Sequence, residues 1–406
     1  MKKTLSLLLA CVLVLSISLP CGALASEEID MTVPLYVLAE PYGFKMGGAF
    51  GAHQMGDANY LNMLKGDFNS VTTTNEMKAY SLLDKNCCKL SKDGMPVMNY
   101  YWADKMVAWA QENGIKVRGH VLVWDAYMSD FFFHEGYETF MPLADRETML
   151  KRMEYYINDV ITHFETKFPG VVYCWDVVNE AVGDNAGEFD PADPRHLRTT
   201  RNGGPNLFYQ YVGDDYVEYA FLYARNTVDA LGADIKLFYN DYNAFFPEKR
   251  QAICALITSI NTFATDENGN PRKLCDGVGM QGYIGGYGYQ DGCLEDSHLE
   301  NIRISIQTYA ELGVEVQITE MAVRNFDPEQ ASKHAEYYGR LFQIFKEVNA
   351  GETKPLTCVT IWGLTDIPYE PKGTYNYNLN SPYGGLFTEK YERKDAYKSV
   401  YTTLLD

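Results

Sequence analysis

A (β/α)8 TIM barrel forming a single catalytic domain is the fold class this sequence predicts. Three observations predict it. Short apolar runs alternate eight times with longer segments of helical spacing between Phe44 and Tyr401. Several of those runs end in polar residues, as buried parallel strands do where their C-terminal ends meet solvent-exposed loops. No low-complexity linker and no short repeat divides the chain. At 406 residues it exceeds the usual single domain, but barrels run to ~250 residues and more with insertions.

Residues 1–25 stand apart from the barrel. Lys2 and Lys3 precede an apolar run from Leu5 to Leu19, and Ala23-Leu24-Ala25 offers a small-x-small cleavage site. That is the pattern of a secretory signal peptide, too short and wrongly flanked for a lasting membrane span. Pro20 directly before Cys21 argues against a lipid anchor there. The mature protein is therefore expected to be secreted and extracellular. Residues 26–43 read as a lead-in, and residues 44–406 as the barrel.

The elements follow in order. Phe44–Phe50 is a glycine-containing first strand, Asn59–Lys65 a helix and Phe68–Asn75 the second strand. Met98–Asn113 carries Met, Val and Trp at helical spacing, and Gly114 ends it as a C′ residue. Lys116–Trp124 is the third strand. Arg146–Lys167 is a long amphipathic helix closed by Pro169-Gly170, and the apolar run from Val171 into Glu180 is the fourth strand. The polar stretch Gly183–Asn206 lies just beyond it and reads as a loop on the working face. Asp214–Leu231 is a helix, Ile235–Tyr242 the fifth strand, Glu248–Phe263 a helix, and Val278–Tyr283 the sixth strand. A glycine- and tyrosine-rich loop, Gly285–Tyr289, follows. Ser297–Leu312 is a helix, Val314–Thr319 strand seven, Pro328–Val348 a helix, Cys358–Trp362 strand eight, and the last helix lies near Lys394–Tyr401. Right-handed crossovers then bring every strand end to one rim.

Composition narrows the partners. A formal net charge of −19 argues against nucleic acid and anionic membranes and suits a neutral or weakly charged substrate. Of nine cysteines, two fall in residues 1–25, so an odd number remains and at least one has no partner within the chain. None shows metal-ligand spacing. Cys254 and Cys275 flank a polar segment and either pair or stay as buried free thiols. A monomer is expected.

Two carboxylates end two strands. Glu180 closes Trp175-Asp176-Val177-Val178-Asn179-Glu180, and Glu320 closes Val314-Glu315-Val316-Gln317-Ile318-Thr319-Glu320. Two such glutamates facing one cleft suggest a retaining glycosidase, whose acid/base and nucleophile stand ~5–5.5 Å apart. That chemistry calls for neither metal nor organic cofactor.

Further segments join these two. They are Phe68-Asn69-Ser70-Val71-Thr72 with Asn75-Glu76-Met77-Lys78, Arg118 to Trp124, Gly279-Met280-Gln281-Gly282, and Trp362-Gly363-Leu364-Thr365-Asp366. In that order they resemble the family 10 glycoside hydrolases, typically endo-1,4-β-xylanases, from Phe68 to Tyr397. The resemblance implies Glu180 as acid/base and Glu320 as nucleophile, acting on xylan or a decorated xylan. It implies Asn179 on the sugar 2-hydroxyl and Gln281 beside the acid/base. Asn75 and Lys78 match residues that bond the non-reducing-side sugars, and Trp362 matches the indole floor under the reacting sugar. Trp124 and its neighbour Asp125 fall among the substrate-binding positions. His120 reads as a buried structural histidine.

The chain departs from the family on this same face. Thr74 stands where a Glu usually precedes the Asn. Asp125 replaces a His that bonds the reacting sugar. Tyr283 replaces a His that contacts the nucleophile, and Ala322 replaces the Asp that orients that His. A late Trp is lost near Tyr369 and Glu370. Losing acceptor and donor together leaves no orphan, and a Tyr283 hydroxyl still supplies a donor to Glu320. The expected consequence falls on substrate more than on reaction. Asp125 adds negative charge, and the weaker non-reducing-side grip should make short linear xylo-oligosaccharides poor substrates.

Overall fold

In a computed structural model, residues 30–184, 187–201, 203–285, 294–367 and 381–406 are described. Residues 1–25, Tyr287, Tyr289, Tyr369 and Glu370 lie outside them. Residues 33–406 form one compact unit. Its eight barrel strands are β1 (Lys45–Phe50), β2 (Ser70–Thr73), β3 (Lys116–Gly119), β4 (Val172–Asn179), β5 (Lys236–Asp241), β6 (Gly277–Met280), β7 (Glu315–Val323) and β8 (Leu356–Ile361). The main helices are α1 (Ala58–Asp67), α2 (Tyr101–Glu112), α3 (Arg146–Lys167), α4 (Tyr216–Leu231), α5 (Pro247–Thr262), α6 (Asp296–Glu311), α7 (Ala331–Val348) and α8 (Asp395–Leu405).

Each strand pairs in parallel with the next, and β8 returns to β1 through Lys45↔Cys358 and Gly47↔Thr360. The barrel is closed, so no backbone edge is left unpaired. The helices start and stop where local chemistry dictates. Asp57 and Asp145 cap α1 and α3 by accepting backbone N–H bonds, Pro247 opens α5, and Gly232 ends α4 in the left-handed region at φ 61°.

Three differences from the sequence reading bear on the site. The expected lead-in is shorter, because Leu35–Ala39 is a helix belonging to the barrel unit. Leu35 and Ala39 are fully buried, and Asp67 accepts from Leu35 N at 3.2 Å and from the Tyr397 hydroxyl at 2.7 Å. Regular β3 ends at Gly119, which faces the Trp175 ring so closely that any side chain would collide. The chain continues beside β4 through Leu122 N→Asp176 O and Val123 N→Val177 O. Strand β7, in contrast, runs on to Val323.

The two strands that carry the glutamates are irregular just before them. The register of β4 against β5 shifts between Asp176 and Val178, and that of β7 against β8 shifts between Ile318 and Met321. Such shifts re-aim side chains beside active sites. Below the rim, Arg118 holds Asp176 through two bonds of 3.1 and 2.7 Å and reaches Gln317 at 2.5 Å, all buried. The charges of Arg118 and Asp176 are thus paired with each other inside the barrel, below the site. Cys254 and Cys275 are free thiols, which decides between the two alternatives left open.

Candidate active site

Glu180 sits at the end of β4 with φ 57°. A left-handed backbone at a non-glycine residue costs of order 1–3 kcal/mol and persists only where its surroundings enforce it. Here Glu180 N donates to Asn240 O at 2.9 Å, while its carbonyl accepts from Arg198 Nε at 3.2 Å and Arg201 Nη2 at 3.1 Å. Its Oε1 accepts from Gln281 Nε2 at 2.9 Å and Asn179 Nδ2 at 3.3 Å. Glu320 is matched from the other side. Asn240 Nδ2 donates to its Oε1 at 3.1 Å and the Tyr283 hydroxyl to its Oε2 at 2.6 Å.

One amide bridge joins the two carboxylates. Gln281 and Asn240 both donate to Asn179 Oδ1, at 3.2 and 2.9 Å, while each also serves one glutamate. Thr319 Oγ1 donates to Asn240 Oδ1 at 2.6 Å and so turns the Asn240 amide N–H toward Glu320. Lys78 is buried, donates to Asn75 Oδ1 at 3.3 Å, and lies 5.1 and 4.4 Å from the Trp124 and Tyr127 ring centroids. Trp362 is partly exposed and meets His120 edge-on at 6.3 Å, while His120 Nδ1 lies 2.8 Å from Asp176. His120 is thus held in the barrel interior, as the sequence suggested.

Burial raises both glutamates above the ordinary carboxyl range. For Glu180 the opposing influences are Arg201, Gln281 and Lys249, while Asp241 adds to the rise. For Glu320 they are His120, the Tyr283 hydrogen bond and Lys78, while Glu180 adds to the rise. Both move the same way, and they differ in their donors. Each oxygen of Glu320 receives a neutral donor, from Asn240 and from Tyr283. One oxygen of Glu180 faces a charged group instead.

That group is Arg201, which sequence reasoning missed. The loop after β4 folds back as a small hairpin, Thr200↔Pro205 and Arg201↔Gly204, that presents Arg201 to the rim. Its Nη1 donates to Glu180 Oε2 at 2.8 Å, and its Nε and Nη2 hold both oxygens of Asp125 at 2.8 and 3.0 Å. Asp125, expected to add free negative charge and contact sugar, is 4% exposed and neutralised by this fork. The charge that Asp125 brings is therefore paired, and the position seats an arginine. Arg198 anchors the same loop through Val182 O and Asp184, and Lys249 joins Asp184 to Asp241. The available signal was Arg195, Arg198 and Arg201 at three-residue spacing in an acidic chain. Asn240 was legible too, as a polar pair with Asp241 ending an apolar strand.

Tyr283 and Ala322 are direct register partners, through a two-residue strand, Tyr283–Ile284, that pairs along the end of β7. The two departures therefore lie side by side, where a His–Asp pair would have met. Among the described residues, no group of three or more His, Cys, Asp or Glu side chains is placed to hold a metal ion. Likewise, no described helix is long and apolar enough to cross a membrane.

The model of "Glycosyl hydrolase family 10" matches residues 35–403. The chain belongs to glycosyl hydrolase family 10. A Caldicellulosiruptor saccharolyticus protein is 37% identical over 298 residues, spanning 71% of this chain and 86% of its own. Endo-1,4-beta-xylanase B of Butyrivibrio fibrisolvens is 30% identical over 366 residues, and the match takes in 89% of this chain but only 52% of the relative. The N-terminal endo-1,4-beta-D-xylanase of Clostridium thermocellum, solved with xylohexaose, superposes with a TM-score of 0.76 at 26% identity, covering 91% of this chain and 67% of that one. The intracellular xylanase of Thermoanaerobacterium saccharolyticum, solved with xylotriose, gives a TM-score of 0.68 at 30% identity, covering 91% and 99%. The family 10 assignment and the barrel expected from the sequence are thus both found.

Two predictions arise here. Tyr283→Phe keeps the ring and removes one donor to Glu320, a loss of ~1.5–3 kcal/mol and so roughly ten- to a hundredfold in kcat/KM. Burial then acts on Glu320 with less opposition, its pKa rises, and the acidic limb of the pH profile moves up. An unchanged rate and limb would show that this hydrogen bond plays no part in turnover.

The second concerns Arg201. Replacing Arg201→Gln together with Asp125→Asn removes the ion pair without stranding Asp125. Arg201 favours ionised Glu180, yet a general acid works protonated. Glu180 would keep its proton to higher pH, still facing Asp241, Lys249, Glu320 and Lys78. The basic limb of kcat/KM should move to higher pH. A fixed basic limb would mean that Arg201 leaves Glu180 before substrate binds.

Proposed function

We propose that this family 10 glycoside hydrolase is a retaining endo-1,4-β-xylanase that cleaves internal bonds of xylan or a decorated xylan. One observation carries the reading. Two buried glutamates, one closing β4 and one in the C-terminal half of β7, share a single amide bridge through Gln281, Asn179 and Asn240. Glu320 attacks the anomeric carbon, while Glu180 protonates the departing oxygen. Glu180 then takes a proton from the water that hydrolyses the glycosyl-enzyme. Asn179 is placed to bond the 2-hydroxyl, and Trp362 forms the floor. The solved relatives bound to xylohexaose and xylotriose support xylan as the substrate class. The basic, apolar leader supports secretion, and the closure of the eight-stranded barrel suits a monomer.

The Asp125–Arg201 pair and Thr74 favour a second reading, the same reaction on another β-linked glycan. Reducing-sugar release from beechwood xylan, arabinoxylan, β-glucan and mannan separates the two. Xylan or arabinoxylan is expected to lead. Faster release from glucan or mannan would overturn the assignment of substrate while leaving the mechanism standing.

A further inference from the structure

Beyond Asn75 a groove of about 440 Å³ leads away, lined by Asn75, Glu76, Tyr80, Asn99, Tyr101 and Trp102 among others. A run of rings reaches it from the cleft floor. Trp362 stands 6.3 Å from His120, His120 5.9 Å from Trp124, Trp124 4.4 Å from Tyr127, and Tyr127 5.4 Å from Tyr80. Tyr80 N also donates to Tyr127 O at 3.0 Å, which ties the groove wall to the cleft wall.

The outer wall is the first turn of α2. Tyr101 and Trp102 stand nearly perpendicular, their centroids 5.2 Å apart, and remain 56% and 51% exposed. They are nonetheless fixed in place. The preceding Tyr100 stacks on His163 at 3.6 Å and donates to Asp159 at 2.6 Å. Asn99 Oδ1 accepts from Tyr101 N at 3.0 Å, and Lys105 Nζ donates to the Tyr101 hydroxyl at 2.7 Å. Glu76 spends its two oxygens on Ala52 N and Asn75 N, at 2.7 and 3.1 Å. The groove therefore presents fixed aromatic faces beside the side-chain amides of Asn75 and Asn99. Aromatic faces suit the C–H faces of sugar rings, and amides suit their hydroxyls.

We propose that this groove is a further glycan-binding site, holding the xylosyl units of the bound chain that lie beyond Asn75 on the non-reducing side, with Tyr101 and Trp102 as its platform. This rests on the xylanase reading above. The groove is continuous with the cleft at Asn75, and that continuity commits it to the same chain that occupies the cleft. With Thr74 in place of a longer acidic side chain, the near sugars are gripped less, so distal contacts weigh more.

The test compares kcat/KM on xylohexaose and xylotriose for the parent, Trp102→Ala and Tyr101→Ala. Both side chains are half-exposed, and thermal midpoints check that the variants are folded. The hexaose-to-triose ratio should fall about tenfold in Trp102→Ala, the equivalent of ~1.4 kcal/mol. Cleavage of reducing-end-labelled xylohexaose should also shift toward its non-reducing end, giving longer labelled products. An unchanged ratio and cleavage frame in both variants would overturn the groove and leave the xylanase reading intact. A parent that cleaves neither xylan nor its oligosaccharides would overturn that reading and this inference with it.

Discussion

Glu320→Ala is expected to lower hydrolysis of xylan by roughly 10⁵-fold, ~7 kcal/mol at the transition state. The side chain lies in the C-terminal half of β7, buried, with Asn240 and Tyr283 donating to its two oxygens. Removing it deletes the attacking group and leaves those two donors around an empty space. Azide is small and anionic enough to enter there. With an activated aryl xyloside it should attack from the vacated side and give the α-azide, because a single displacement inverts the centre. Formation of the β-azide instead would exchange the roles of the two glutamates. Near-normal hydrolysis without azide would remove Glu320 from the mechanism altogether.

What the sequence makes legible follows from where side chains are forced to lie. Strands buried on both faces admit polar residues only at their ends, so Glu180 and Glu320 stand out in the chain. The long helices were legible because capping and glycine stops are local. Arg146–Lys167 was read to the residue, and Gly114 indeed takes a positive φ of 69°. The register shifts before each glutamate were hidden, since they depend on neighbouring strands and not on local pattern. Arg201 was hidden for a related reason. It reaches Asp125, 76 residues away, from a hairpin whose Asn202-Gly203 turn signal is local, but that signal does not say which distant side chain the hairpin will face. The pairing of Tyr283 with Ala322 lies between these cases. Two departures from a family pattern hinted at contact, and the register places them opposite each other.

The Asp125–Arg201 pair also changes how the substrate-side departures combine. A carboxylate in place of histidine would repel Glu180 and raise its pKa further if it stood alone. Held in a fork by Arg201, it becomes half of a buried pair whose cation faces the acid/base. Breaking one partner of such a pair costs far more than replacing both. Asp125 and Arg201 therefore belong to one unit with the hairpin, and Asp125→His by itself should impair the enzyme.

Glu180→Ala should separate substrates by their leaving groups. On xylan, where the departing sugar hydroxyl is a poor leaving group, loss of the general acid should cost about 10³–10⁴-fold. On a dinitrophenyl xyloside the glycosylation step needs no protonation and should be nearly spared, so the glycosyl-enzyme accumulates as a burst. The burial that raises the Glu180 pKa, with Arg201 opposing it, sets where the parent loses activity on the alkaline side. Above that pKa the acid is ionised and xylan cleavage falls. The variant has no such group, so its glycosylation rate on the dinitrophenyl substrate should run flat through that range. Stopped-flow release of dinitrophenol against pH measures both effects. Equal losses on the two substrates, or an alkaline limb kept in the variant, would show that another residue delivers the proton.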